Sequence, residues 1–200
     1  MRRTALAASV LMLAGVLSGC GGGKQAAAPP AATTTPPATG PGALQAEANA
    51  AATGDIPDNQ VFLVFANARA GYSMKYPEGW AQQGSGHAVA FRDKNNIVRI
   101  DVRAGSPPTK ASVQSAVAAL PGAHIVAAPQ AMSLGGHPAF KIVYSTESAA
   151  NAVTGKRVRL VVDRYYLWTT GRRAVVDLGT PQGVDNVDAY RLMIESFRWK

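Results

Sequence analysis

The sequence contains a single cysteine and none of the short motifs that mark the common enzyme classes. One cysteine, Cys20, cannot form a disulfide within the chain. A phosphate-binding P-loop, an HExxH zinc motif, a CxxC pair and a GxSxG nucleophile elbow are all missing from the sequence. We therefore expect a protein that is not an enzyme and that holds no cofactor.

Candidate metal ligands are few and scattered. His87, His124 and His137 lie far apart in the chain, and none has a second ligand at a spacing typical of a metal site. The segment from Asp93 begins like a calcium-binding loop, but Ile97 stands where a third oxygen ligand is required. We interpret this segment as a hairpin turn and expect no metal site.

The sequence also lacks an uninterrupted apolar run of the ~20 residues that a membrane-spanning helix needs. Residues 6–17 form a shorter run, which follows two arginines and leads into Leu-Ser-Gly-Cys at residues 17–20. This arrangement resembles the lipobox of bacterial lipoproteins. The resemblance implies that residues 1–19 are a signal peptide and that Cys20 becomes an acylated N-terminus. The alternative is an ordinary secretory leader beside an incidental cysteine.

Lipidation of Cys20 would hold the protein at a cell membrane, on its extracytoplasmic face. Stable anchoring takes two or more lipid chains, since each buried CH₂ contributes only about 0.8 kcal/mol. Residues 20–55 consist mainly of glycine, alanine, proline and threonine, with Leu44 as the one large aliphatic residue before Ile56. Such a composition cannot bury enough apolar surface to fold, so we predict a flexible linker with a reach of roughly 30 Å.

Residues 56–200 are numerous enough for one domain with its own core, and their pattern is mostly period two. We predict a buried strand at 61–65 and a possible strand at 125–132, with further strands at 72–76, 87–92, 97–103, 140–144, 158–168 and 174–179. Hairpin order with covering helices predicts an α+β fold, an antiparallel β-sheet flanked by helices.

Two helices are predicted to cover this sheet. The first follows Thr109, a candidate N-cap, and ends before Pro121. The second begins near Asp185, which with Asp188 resembles a capping box, and runs towards Trp199. Its expected buried stripe consists of Val187, Tyr190, Ile194 and Phe197.

The stretch GYSMKYPEGW at residues 71–80 resembles the opening of PsbP-like domains, in which an aromatic strand runs into a Tyr-Pro-x-x-Trp turn. The chain's end is similar as well, with a hairpin and a helix that finishes in SFRW at 196–199. PsbP, Mog proteins and LpqN-type lipoproteins share this fold. The resemblance implies an antiparallel sheet between helices and a role in binding a protein or complex, and we transfer no metal or cofactor residue from it.

Charged side chains alternate with apolar ones along the predicted strands. Three sets of charged residues each share one face of a predicted strand: Arg99, Asp101 and Arg103; Arg157, Arg159 and Asp163; and Arg173 and Asp177. Such a lattice could bind an anionic partner, because arginine offers bidentate geometry. The alternative is cross-strand pairing on a solvated surface, which the interleaved acids favour.

We select four residues as candidate partner contacts. Arg99 and Arg159 belong to the charged lattice, and Tyr165 is expected on the same exposed face as Arg159. Asn151 lies in a polar connection, residues 145–155, that is longer than a simple hairpin needs. A mobile loop without a role is the alternative interpretation of that segment.

We expect a membrane-anchored extracytoplasmic module that binds a protein partner and has no catalytic role. The alternative is a carrier domain that holds a small molecule or lipid between sheet and helix. The formal net charge of +8 falls to +6 once the predicted signal peptide, which holds Arg2 and Arg3, is removed. A basic mature protein outside the cytoplasm fits anionic lipid or wall polymer better than nucleic acid, but the modest and scattered excess favours the alternative of a solvated charged surface.

Overall fold

The structure, a computed structural model, describes residues 42, 45–46, 49–50, 53–151 and 153–200. Cys20, the predicted signal peptide at residues 1–19 and most of the linker predicted at residues 20–55 lie outside these residues. The described residues comprise nearly all of the domain predicted from Ile56 onwards and part of the segment that enters it.

Ten strands form two antiparallel sheets. The smaller sheet has the order β1-β2-β10, and the larger has the order β3-β4-β5-β9-β8-β7-β6. The strands are β1 Phe62–Asn67, β2 Tyr72–Pro77, β3 Ala81–Ser85, β4 Ala88–Asp93, β5 Asn96–Ala104, β6 His124–Leu134, β7 His137–Glu147, β8 Arg159–Thr169, β9 Arg172–Pro181 and β10 Arg198–Trp199. Every pairing is antiparallel, which confirms the predicted α+β class.

Two helices cover the sheets, α1 at Lys110–Ala118 and α2 at Val187–Glu195. Thr109 is the N-cap of α1, as predicted: its hydroxyl accepts from the Ser112 backbone N–H at 3.1 Å, and its own N–H donates to the Ser112 hydroxyl at 2.9 Å. This reciprocal capping box satisfies two backbone donors that the first turn would otherwise leave unpaired.

The large sheet buries a different cluster on each face. On one face, side chains such as Val98, Ile100 and Val176 pack with the small sheet and with Tyr190 and Met193 of α2. On the other face, a smaller cluster around Ile142, Tyr144, Val162 and Tyr166 packs against Val113 and Val117 of α1. Burial on both faces follows because alternate residues of a strand point to opposite sides.

A buried amide cluster holds the segment that enters the domain. Ile56 donates its backbone N–H to the Asn186 side chain at 2.8 Å, and the Gly54 carbonyl accepts from the side chains of both Asn96 and Asn186. Asn186 also donates to the Thr180 hydroxyl at 2.8 Å. We call Asn96, Thr180 and Asn186 the amide clamp, because they tie Gly54 and Ile56 to β5, β9 and the start of α2.

Several predicted details are wrong. The 61–65 stretch is not a buried strand: β1 is an edge strand, and Val61, Leu63 and Val64 are exposed. Helix α2 begins after Asn186 with no side-chain cap, so the capping box with Asp188 does not form. Val187 is exposed, and Met193 takes its place in the buried stripe. Strands β3 and β10 were not predicted.

Within the described part of the chain, neither helix is long and apolar enough to cross a membrane.

Candidate functional site: an arginine-rich sheet face

Helix α1 covers only part of the sheet face on which it lies, because it packs against β6 and β7. The neighbouring part, formed by β4, β5, β9 and β8, carries charged side chains instead. We call this surface the arginine face and define it by the five arginines and two aspartates Arg92, Arg99, Arg103, Arg164, Arg173, Asp101 and Asp177. Five positive charges against two negative ones leave the face clearly basic.

The centre of the arginine face is a row of residues directly opposite each other on three strands. Arg99 of β5 is paired in register with Asp177 of β9, which is paired in register with Arg164 of β8. Arg164 donates from Nε and Nη2 to the two oxygens of Asp177, at 2.6 and 2.7 Å. Both side chains of this bidentate pair are almost wholly buried.

Arg99 is the weaker partner of the same carboxylate. Its Nη1 lies 3.7 Å from Asp177 Oδ2, and its side chain is 50% exposed. Since Arg164 already uses both oxygens at short distance, Arg99 keeps most of its five donors available.

Electrostatics at the row follow from this geometry. Burial by itself would lower the pKa of Arg164, but the hydrogen bonds and charge of Asp177 outweigh it and raise that pKa above its ordinary range. The Arg164 guanidinium also lies over the ring of Tyr144, 5.2 Å from its centroid. Burial, followed by the negative charge of Asp177, raises the pKa of Tyr144 to about 12. The arginine is thus permanently charged and the tyrosine permanently protonated near neutral pH.

Arg92 of β4 is held differently from the other arginines. Its Nε is buried and has no hydrogen-bond partner among the described residues. Burial, and to a smaller extent the positive charge of Arg99, lower the pKa of Arg92. An arginine that is desolvated, next to a like charge and lacking an acceptor at Nε is unfavourable unless another group supplies negative charge.

A cavity of about 410 Å³ opens between the arginine face and the C-terminal end of α1. Arg92, Arg99 and Arg164 line its sheet side, Leu120 and Pro121 line the side below α1, and the loop after β7 closes a third side. A second cavity of about 270 Å³ shares Arg99, Arg164 and Asp177 with it and extends towards Arg103 and Arg173. We call these two cavities, which share three lining residues, the basic cleft.

The four candidate contact residues do not come together. Asn151 and Arg99 both line the basic cleft. Asn151 shapes its loop, because its side-chain oxygen accepts the backbone N–H groups of Val153 and Thr154 at 2.9 Å each. Arg159 points to the opposite face of the sheet, where it lies 3.7 Å from Glu147.

The expectation that Tyr165 is exposed is wrong. Tyr165 retains only 5% of its exposure and packs among Val176 and the other residues between the two sheets. Its strand face is buried at this point because the small sheet and α2 cover it. The Lys141 ammonium lies over the Tyr165 ring, 5.5 Å from the ring centroid, and 2.6 Å from Asp163 Oδ2.

Sequence reasoning missed Arg164, Arg92 and Tyr144. A signal for Arg164 was present: it shares the alternation of Leu160, Val162 and Tyr166, so a charge falls on an apolar strand face. A charge in that position requires a partner on the next strand, and Asp177 is the acid that β9 places there. Nothing comparable marks Arg92, whose burial depends on how β4 and β5 pack.

Acidic residues surround another cavity of about 420 Å³ at the N-terminal end of α2, which includes Asp55, Asp58, Asp185 and Asp188. Among the described residues, however, no three histidine, cysteine, aspartate or glutamate side chains are arranged to hold a metal ion. The three histidines also stay apart: His87 precedes β4, His124 begins β6 and His137 begins β7.

No protein-family model matches the chain, and no curated protein matches it. Solved structures do show similarity. Cyanobacterial PsbP (CyanoP) from Synechocystis is 16% identical with a TM-score of 0.44, over 74% of this chain and 98% of that one. The Ran-binding protein Mog1p of Saccharomyces cerevisiae is 9% identical with a TM-score of 0.45, over 70% of this chain and 96% of that one.

LpqN of Mycobacterium tuberculosis, described as involved in cell envelope biogenesis, is 17% identical with a TM-score of 0.37, over 70% of this chain and 84% of that one. These three proteins represent the group that the sequence at residues 71–80 resembles. At these scores the similarity extends to the antiparallel α+β architecture and carries no argument about function.

Proposed function

We propose that this protein is a lipid-anchored binding module on the extracytoplasmic face of a cell membrane, and that it captures a partner in the basic cleft without catalysing a reaction. The observation that carries the binding part is the cleft itself. It combines a concave surface, a cluster of arginines and a long polar loop that contains Asn151.

The chemistry of the cleft supports binding over catalysis. Arginine remains charged at all physiological pH values, so it positions anions and does not exchange protons. Tyr144, with a pKa raised to about 12, is poorly matched to general base catalysis near neutral pH. The carboxylate of Asp177 is fully engaged by Arg164. A purely apolar carrier is also less compatible with the cleft, because burying guanidinium groups against hydrocarbon is costly.

The anchoring part of the proposal rests on the sequence around Cys20. Diacylation there would supply enough buried hydrocarbon to hold a module whose described helices are too short and polar to span a membrane. Tethering by a linker with a reach of roughly 30 Å raises the effective concentration of the module near membrane partners without any added contact.

Substitution of the cysteine tests the anchor. Wild-type protein should fractionate with membranes and carry an acylated Cys20 by mass spectrometry of its N-terminal peptide, whereas Cys20→Ala should be released into the soluble fraction. Wild-type protein that is soluble and unmodified at Cys20 would contradict the anchor.

Crosslinking in the native membrane tests the binding site. A photo-crosslinking amino acid is placed at Asn151, at the cleft, or at Arg159, on the opposite sheet face and equally accessible to solvent. We expect a discrete adduct from position 151 and none from position 159. Equal labelling from both positions, or adducts from position 159 alone, would exclude the basic cleft as the contact site.

A further inference from the structure

Positive charge in the basic cleft is not balanced by the protein's own acids. Asp177 gives both oxygens to Arg164 at 2.6 and 2.7 Å, and Asp101 is bound in the same bidentate way by Arg103 at 2.6 and 2.8 Å. Both aspartates of the arginine face therefore already have a close arginine partner. For Arg99 there remains the longer contact of 3.7 Å between its Nη1 and Asp177 Oδ2.

Arg92 and Arg99 lie on adjacent strands and point to the same face. Ala90 is the register partner of Arg99, so Arg92 stands two residues further along β4 on the same side. The positive charge of Arg99 acts on Arg92 strongly enough to contribute to its lowered pKa. Two guanidinium groups that line one cavity, one with a buried Nε that has no hydrogen-bond partner among the described residues, are stabilised when an anion binds between them.

We propose that Arg92 and Arg99 form a subsite for a phosphate group at the floor of the basic cleft, and this inference rests on the proposed binding function. The ligand class is a phosphate ester, carried either by a lipid headgroup or by a soluble molecule.

The geometry favours phosphate over a carboxylate. Arg164 and Asp177 show how this face accommodates a planar carboxylate, with one arginine in a bidentate pair. Arg92 and Arg99 instead belong to two different strands, and both line the same cavity. A tetrahedral phosphate presents several oxygens and up to two negative charges, and can accept from both arginines at once.

The remaining walls suit an ester. The cavity of about 410 Å³ falls within the range of small-molecule sites, so it has room for a phosphate and the group attached to it. Tyr144 is protonated and lines the same cavity, and Leu120, Leu160 and Val162 offer apolar contact to the ester carbons. Glu147 also lines the cavity, but it lies near Arg159 and is half exposed.

Calorimetric titration with glycerol phosphate at low salt tests the subsite. The protein carries Cys20→Ala, so that no acyl chain contributes to binding. We expect saturable binding that weakens at least about tenfold in Arg92→Gln and in Arg99→Gln, because each loses a charged hydrogen-bond donor. Arg191→Gln is the matched control: it removes the same charge from an exposed side chain of α2 that is paired with Asp188 and lies outside the arginine face, and should leave affinity within about twofold.

Vesicles distinguish the two sources of phosphate. Proteins are co-sedimented with phosphatidylglycerol vesicles and with phosphatidylcholine vesicles. If the ligand is a lipid headgroup, phosphatidylglycerol vesicles retain the protein, Arg92→Gln and Arg99→Gln lose retention, and Arg191→Gln keeps it, even where glycerol phosphate binds poorly. If the ligand is soluble, glycerol phosphate binds and the vesicles retain all variants equally or not at all.

Absence of arginine-specific binding in both assays overturns the subsite. So does an equal loss in Arg191→Gln, which would indicate general charge attraction. If the subsite is overturned but position 151 still forms its adduct in Arg92→Gln, the proposed binding function stands and only the phosphate subsite fails. The two proposals can therefore fail separately. Urea unfolding midpoints of all three variants ensure that lost binding is not lost folding.

Discussion

Neutralising Asp177 should destabilise the domain severely, because it would leave Arg164 buried and charged without a counter-ion. Asp177→Asn preserves the size of the side chain and one acceptor oxygen, so the change is mainly one of charge. Both partners are nearly inaccessible to water, with side-chain exposures of 11% for Arg164 and 4% for Asp177. Solvent therefore cannot replace the lost carboxylate.

The expected magnitude follows from that burial. Removing one partner of a buried ion pair costs about 3–5 kcal/mol, and for a domain of this size each kcal/mol lowers the melting temperature by roughly 2–4 °C. Arg99 adds to the effect, because the Asp177 carboxylate also lies 3.7 Å from its Nη1. A decrease of roughly 6–20 °C in melting temperature is expected.

Asp101→Asn is the matched control on the same face. Asp101 also forms a bidentate pair, but with an Arg103 side chain that is 71% exposed, so its loss should cost no more than about 1 kcal/mol. Urea unfolding followed by tryptophan fluorescence measures both variants. The double variant Arg164→Met, Asp177→Leu should recover most of the stability, because apolar residues of similar volume replace a buried pair without an uncompensated charge. The reasoning fails if the two asparagine variants lose similar stability.

Two further predictions concern the titration of Tyr144 and the turn glycines. Because burial and then Asp177 raise the pKa of Tyr144 from 10.0 to about 12, its contribution to stability is complete below pH 10 and is lost as the pH rises towards 12. In Tyr144→Phe the free energy of unfolding should therefore fall less steeply as the pH rises from 10 towards 12, by up to about 1.4 kcal/mol per pH unit. Identical dependences of the urea midpoint on pH in the variant and the wild type would contradict this. Gly84→Ala should lower the urea midpoint more than Gly79→Ala. Both have φ near +80°, at +78° and +85°, but a Cβ on Gly84 would lie 2.5 Å from the Ala88 carbonyl oxygen whereas one on Gly79 meets nothing within 4 Å. Equal midpoints would refute the clash.

Much of the architecture was readable from the sequence because local chemistry decides it. Thr109 with Ser112 fixes the start of α1, and the β4–β5 hairpin turns at Lys94 and Asn95 between register partners Asp93 and Asn96. Period-two alternation located most strands of the large sheet. Such features depend on a few neighbouring residues, so they survive without knowledge of the tertiary packing.

The errors arise where a distant element decides the environment. Tyr165 sits on a strand face that carries Asp163 and Arg159, so alternation alone suggested exposure, but the small sheet covers its position and leaves that of Arg159 open. Val61, Leu63 and Val64 look like core residues, yet β1 is the edge of a three-stranded sheet. The basic cleft was only half visible for the same reason: Arg99 and Asn151 come together with Arg92 through strand order, which no local pattern encodes.

The amide clamp decides how the folded body would respond to mechanical load. A force applied along the N-terminal segment reaches Gly54 and Ile56 first. There the load is shared by the amide clamp, which combines Asn96 of β5, Thr180 of β9 and Asn186, the residue before α2. Yielding at this point requires several buried hydrogen bonds to break together instead of one after another. A force applied to the chain before Gly54 would therefore move the domain as a unit and would not peel away its first strand.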